Sequence, residues 1–399
     1  MAEHLSDVAV ASRRFRSFLA AGCLYLLFVQ MMLIAFGISR LSDGNLDFRH
    51  LYTAGYLVRT GQGHDIYNYE VAKRVQEQLV SPKAITAVFN HLAFEALLFV
   101  PFSLFHFRTA YFLWIGVNIS LLVCCFTFLR RYYGPLRSIW SFLPAAMFAC
   151  FFPFAFTIIE GQDSIVLTTL MAGAVLLMEK RRHYLAGVVL AAGLFKFQLV
   201  LPMVALAAVW RKWKIVYGFL MGALLVVCMS LAIVGVSSVR TYSDYLLALS
   251  SADQQVYGVQ PLFMANLRGL FSGLTESTLG HWTSQILTIF ASVALFLWAC
   301  RQKASISVAI TTSILVSYHC LHHDLSLLVI PLVLAPYEEK FSGTIWLWAA
   351  VLFAAPGVTF AWGIPSWVVA IPMIIFLWQI AQRNSQLSTY AHRAAGTVS

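Results

Sequence analysis

The sequence predicts an all-α integral membrane protein, one polytopic body over residues 1–399 with about twelve spans (eleven to thirteen). Three observations carry that expectation. The chain is 60% hydrophobic and only 11% charged, where globular chains carry about a quarter charged residues. Its mean hydropathy is +0.76. Its apolar runs recur along the whole length, separated by short basic turns. So few charges cannot cover a water-soluble body of this size. The same composition excludes a disordered chain, a disulfide scaffold and a nucleic-acid binder. The net charge of +10 is the excess that cytoplasmic loops retain in a membrane protein.

A spanning helix needs about 20 apolar residues. Candidate spans run near 15–39, 109–129, 139–158, 164–179, 184–196, 197–210, 215–235, 286–300, 304–319, 325–336, 344–360 and 367–381. The first follows Arg13, Arg14 and Arg16 and continues to Ile38, too long for a signal-peptide core. Segment 86–105 is apolar but broken at Pro101. The clusters Arg130/Arg131/Arg137, Lys180/Arg181/Arg182, Arg211/Lys212/Lys214 and Arg301/Lys303, with Lys340 and Arg383, mark cytoplasmic turns. They alternate correctly if 86–105 enters and leaves on the outside, as a re-entrant hairpin or interfacial helix pair. Both termini then lie in the cytoplasm, in a bacterial-type plasma membrane. The pair 184–196 and 197–210 is either two short spans or one broken element. Cysteine is uninformative: none of the seven forms a CxxC, so they read as small buried hydrophobes.

This orientation places five segments outside: the first loop 40–108, the turn Glu160-Gly161-Gln162-Asp163, the surroundings of Lys196, the loop 237–284, and His319 to Asp324. The scarce polar groups collect there, and with them the expected site. In the first loop Asp43-Gly44-Asn45 reads as a turn. From Asp47 onward Phe48, Leu51, Tyr52, Gly55 and Val58 recur at helical spacing, predicting a short amphipathic helix on the membrane surface. Asp47 falls at its first turn, as an N-cap, and a carboxylate kept ionised there is also what a general base requires.

Asp47-Phe48 is followed by Tyr52, Ala54-Gly55 and Gly61-Gln62-Gly63-His64-Asp65-Ile66-Tyr67. Then come Asn90 to Phe105, Gly161-Gln162, the basic turn Lys180 to His183, Ala186-Gly187 and Lys196. Gln260-Pro261-Leu262, Asn266 to Leu270 and His319 to Pro331 complete the order. Over about residues 15–335 this succession resembles glycosyltransferase family 87, polyprenol-phosphate-mannose-dependent transferases of the GT-C superfamily. The chain departs from that pattern at Phe89-Asn90-His91 and at Phe197-Gln198. The resemblance implies a GT-C-like fold and an inverting transfer outside the cytoplasm. The donor would be a polyprenyl-phosphate-linked hexose, typically mannose, and the acceptor a glycolipid or glycan hydroxyl. Asp47 would be the base. The candidate substrate-binding residues are Arg49, His50, Gln162, Asp163, Lys196, Arg268, His322 and His323, of which Lys196, Arg268, His322 and His323 would meet the leaving phosphate.

Other readings stand beside this one. Lys196 could snorkel from a helix end. The residues flanking Gly161-Gln162, Glu160 and Asp163, could be helix caps. His319 and His323 are four apart with Asp324 adjacent, a metal-ligand spacing if that segment is helical. No HExxH accompanies it, so no metal and no cofactor is expected, although a divalent ion is chemically open. Tyr242, Asp244, Tyr245, Tyr257, Trp282 and Asn266 in 237–284 suit a bilayer interface or a sugar platform. A transporter or flippase is the competing function class; no internal repeat supports it. Beyond substrates and membrane lipids the sequence names no partner, and it says nothing of oligomeric state.

Overall fold

The computed structural model describes residues 2–39, 41, 43–250, 260–338 and 343–382. Of the residues singled out above, Tyr257, Lys340 and Arg383 lie outside these, as do the side chains of Arg13, Arg14 and Tyr245. Among the described residues every regular element is helical.

Helix α1 (Ala2–Ser39) leads into the first loop, where Gly44 turns the chain at φ +71° as Asp43-Gly44-Asn45 predicts. α2 (Phe48–Arg59) and α3 (Tyr69–Leu79) follow. Segment 86–105 is built of short helical pieces, Ala93–Glu95 running into α4 (Ala96–Phe99) and then Phe102–Leu104. The pieces pack onto their neighbours, with the Phe94 N–H donating to Ser230 Oγ at 3.1 Å. α5 (Phe107–Phe128), α6 (Gly134–Ile139), α7 (Leu143–Cys150), α8 (Phe152–Glu160) and α9 (Ser164–Glu179) come next. Beyond them lie α10 (His183–Ala192), α11 (Phe197–Val209), α12 (Trp213–Val234) and α13 (Ser238–Ser250). The helices Leu267–Leu279, His281–Cys300, Ile306–Val316, Asp324–Tyr337, Gly343–Ala361 and Ser366–Gln382 complete the chain.

Among the described residues seven helices are long and apolar enough to cross a membrane: Phe15–Ser39, Phe107–Phe128, Leu143–Glu160, His183–Val209, Trp213–Val234, His281–Cys300 and Gly343–Ala361. This is an integral membrane protein by length and composition, and seven is fewer than the twelve spans expected. Four further apolar helices are shorter, and two of them, Ser164–Glu179 and Asp324–Tyr337, begin at polar residues that the site holds back. The pair expected at 184–196 and 197–210 is one apolar element, His183–Val209, broken at Gly193–Lys196. A straight helix of its 27 residues would part its ends by about 40 Å. Yet His183 and Lys212 line one cavity, so the element doubles back with Lys196 at its apex. α10 reaches α12 without side chains between them at Gly187, where an added Cβ would lie 2.1 Å from the Ile215 carbonyl oxygen.

The basic turns meet at one end of the body. Arg131 pairs with Glu179, Arg130 and Lys180 share a cavity wall, and His183, Lys212 and Ser305 share another. The polar site occupies the opposite end, because α9 and α10 each run from one to the other. An aromatic cluster builds that end. Phe48, Phe99, Tyr111 and Trp114 are fully buried, and Phe48 packs against Phe99, Tyr111 and Trp114. Truncating such a side chain costs about 3–5 kcal/mol.

Candidate active site

α2 carries Asp47 at its N-cap position, but the carboxylate caps nothing. It accepts a hydrogen bond from Gln162 Nε2 at 2.8 Å instead. Two motifs distant in sequence are fitted together here. Gly161 ends α8 in the left-handed region at φ +67°, and a Cβ there would sit 2.6 Å from Phe48 Cβ. Trp114 Nε1 donates to the Gly161 carbonyl at 2.8 Å. Phe48 therefore wedges against a turn only glycine can make, and the neighbours Asp47 and Gln162 face each other. α2 was expected on the membrane surface; nine of its twelve residues are buried, Arg49 and His50 included, because the aromatic cluster and segment 84–105 enclose it.

Behind this pair lies a buried ionic chain. Asp163 places Oδ1 2.8 Å from Lys196 Nζ and Oδ2 3.0 Å from His91 Nδ1. His91 Nδ1 lies 2.5 Å from Glu95 Oε2. Lys196 donates to Asp324 Oδ1 at 2.6 Å and to Ser164 Oγ at 2.6 Å. Asp324 also accepts from the Leu321 N–H at 3.0 Å. Lys196 does not snorkel: it is 2% exposed. Asp163 holds the N-cap position of α9 without a side-chain cap bond. Its carboxylate is spent on ion pairs.

Two imidazoles, His50 and His323, act on the Asp47 carboxylate, and His322 adjoins His323 in the chain. His50 Nε2, His322 Nε2 and His323 Nδ1 are buried without a hydrogen-bond partner among the described residues. His323 Nε2 is 3.5 Å from Asp324 Oδ2, and His322 Nδ1 is 3.3 Å from Ser366 Oγ. Arg49 comes within 4.0 Å of Asp47. Its donors go to the carbonyls of Ile85 at 2.7 Å and Leu46 at 2.8 Å, pinning the first loop. Arg268 stands apart, stacked 3.9 Å over the Tyr318 ring. Asn266 caps its helix, with Oδ1 accepting from the Gly269 N–H.

Burial would raise the Asp47 pKa, but His50, His323, Arg49 and the Gln162 amide together hold it below the ordinary carboxylate value. Burial drives His50 down to about 3, so it stays neutral. His91 goes the other way: burial opposes its charge, yet Glu95 and Asp163 outweigh that and raise it to about 10.

Sequence reasoning missed His91 and Glu95 as site residues. Glu95 left a signal, being the one carboxylate in the apolar stretch 86–105, and an ionisable group so placed is a site candidate by default. Each of His91, Glu95 and Asp163 offers one ligand atom within 4.8 Å of the others, so this trio can hold a metal ion. His319 and His323 do not share a helical face, because 317–323 is not helical.

Fold and site together define a polytopic helical membrane protein with an ionisable site assembled from distant segments at one end. A family model described as Glycosyltransferase family 87 matches residues 93–331, more than half of the chain, and the chain belongs to that family: it is a glycosyltransferase. The matched stretch includes Glu95, Asp163, Lys196, Arg268, His322 and His323; Asp47, Arg49 and His50 precede it. Neither the curated proteins nor the solved structures contain a match.

Proposed function

We propose that this glycosyltransferase moves a hexose, mannose on the family resemblance, from a polyprenyl-phosphate donor to a hydroxyl of a glycolipid or glycan, with inversion and with Asp47 as general base. The observation that carries the proposal is the Asp47–Gln162 hydrogen bond at 2.8 Å on a carboxylate whose side chain remains 37% exposed. It is ionised, aimed and reachable, which is what deprotonating a hydroxyl demands.

In the proposed step the acceptor oxygen attacks the anomeric carbon opposite the phosphate while its proton passes to Asp47. The bond from that carbon to the phosphate oxygen breaks, and polyprenyl phosphate leaves with the electron pair. One displacement inverts the centre. The nitrogens of His322 and His323 that lack a partner among the described residues suit the developing phosphate charge, and His50 suits the sugar or acceptor hydroxyls. Lys196 is already neutralised by two carboxylates, so it holds Asp163 and Asp324 in place and hence the Gln162 turn. By the positive-inside rule the basic end faces the cytoplasm, which puts both termini there and the site outside.

The test is transfer from radiolabelled polyprenyl-phosphate-mannose to native membranes by the purified protein and its Asp47→Asn variant. The expected result is a new labelled glycoside from the wild type and none from the variant, with both inserted and folded alike. Transfer retained by Asp47→Asn overturns the base. Movement of the labelled lipid across vesicles without any new glycosidic bond overturns the reaction.

A further inference from the structure

At the end remote from Asp47, the two legs of His183–Val209 diverge around a cavity of about 270 Å³. Its walls are apolar, with Met171, Val175, Leu190, Met203, Ile215 and Ile310 among them. Its mouth is a different chemistry. His183, Trp210 and Lys212 line it, and Arg181, Arg182, Arg211 and Lys214 stand exposed in the two flanking turns. Among the described residues no carboxylate lines the cavity, and Glu179, at the end of α9, is paired with Arg131. The indole N–H of Trp210 is buried with no acceptor among the described residues, a costly orphan donor.

The positive-inside rule accounts for cations on these turns, but it places no apolar cavity beneath them and leaves no donor orphaned at the rim. Apolar depth, an orphan N–H and a carboxylate-free cationic mouth complement one ligand that a membrane supplies, a lipid with a phosphate head. We propose that an anionic phospholipid binds here, with one acyl chain between α10 and α11 and its phosphate held by Lys212, the flanking arginines and the Trp210 N–H. Basic pockets between membrane helices on the cytoplasmic side recognise lipid headgroups in this way. The site is separate from the sugar-transfer centre and stands whether or not Asp47 is the base.

Full-length protein in mild detergent, challenged with equal phosphatidylglycerol and phosphatidylcholine and examined by native mass spectrometry, tests the proposal. Phosphatidylglycerol should be retained about tenfold more, and its addition should raise the unfolding temperature. The double substitution Arg211→Glu/Lys212→Glu should remove the preference. Ala207→Phe, or Ala309→Phe should the first not fold, fills the cavity without touching charge and should abolish retention. Lys73→Glu, exposed in the first loop, should change nothing. Equal retention of the two lipids, or retention unaffected by both kinds of variant, overturns the proposal. So does inorganic phosphate protecting as well as the lipid, which would make the mouth a free-anion site.

Discussion

The site is two regions with opposite treatments of the same side chain. In the closed half, Asp163 and Asp324 are 0% and 1% exposed and share Lys196, itself 2% exposed. In the open half, Asp47 is 37% exposed, accepts one neutral amide at 2.8 Å and meets the Arg49 cation only at 4.0 Å. A carboxylate given a permanent counter-charge has no free energy left for a substrate; one held by an amide and left accessible does. Closed carboxylates here build a frame, and the open one is free to react.

The largest test of that division is a pair of measurements on Asp47→Asn. Its turnover should fall by about 10²–10⁴-fold, while its unfolding midpoint stays with the wild type. A matching drop in stability would erase the distinction. Lys196→Met should do the reverse first. It strands two buried carboxylates, so it should destabilise by about 3–5 kcal/mol in a detergent unfolding series, and loss of activity should follow loss of fold. If Lys196→Met keeps its midpoint but loses donor binding, Lys196 belongs with the open half.

Gly161→Ala sharpens the link between the halves. The positive φ costs about 1–2 kcal/mol, and the new methyl must displace Phe48. Activity should therefore fall more than stability does, because Asp47 is moved; equal losses would deny the coupling. The pH profile is the mildest test. His91 is raised to about 10, so its stabilisation is complete below about pH 6.5 and fades as pH rises through 10; unfolding midpoints measured across that window should decline, and less so in His91→Gln. Asp47 is lowered, so its ionised form persists until pH falls below the usual carboxylate value of about 3.9. The acid limb of kcat/KM should lie below that value, and a limb near neutrality would point to another base.

What the sequence disclosed was what is written locally. Apolar runs and basic turns announce helices, and the family motifs bring Asp47 and Gln162 forward together. The span lengths were less legible, because the short helices Ser164–Glu179 and Asp324–Tyr337 begin beside Asp163 and at Asp324, whose carboxylates are committed to ion pairs with His91 and Lys196 from other segments. His91 and Glu95 stand four residues apart in one segment, but Asp163 comes from another, and nothing in the spacing foretells that it joins them. The metal-ligand spacing of His319 and His323 presupposes a helix, and 317–323 is not helical.

The doubled-back element has a consequence for depth. Its legs of 10 and 13 residues rise about 15 and 20 Å, against a hydrocarbon layer of about 30 Å. Anchored at their basic ends, they carry Lys196 only part of the way through. The floor of the site is therefore a sunken one, and a bilayer around it must thin or let water down to meet it. Bilayer thickness, set by acyl-chain length, becomes a variable that reaches the ionic chain directly. Thicker membranes bury that floor more deeply than the two legs were built to reach.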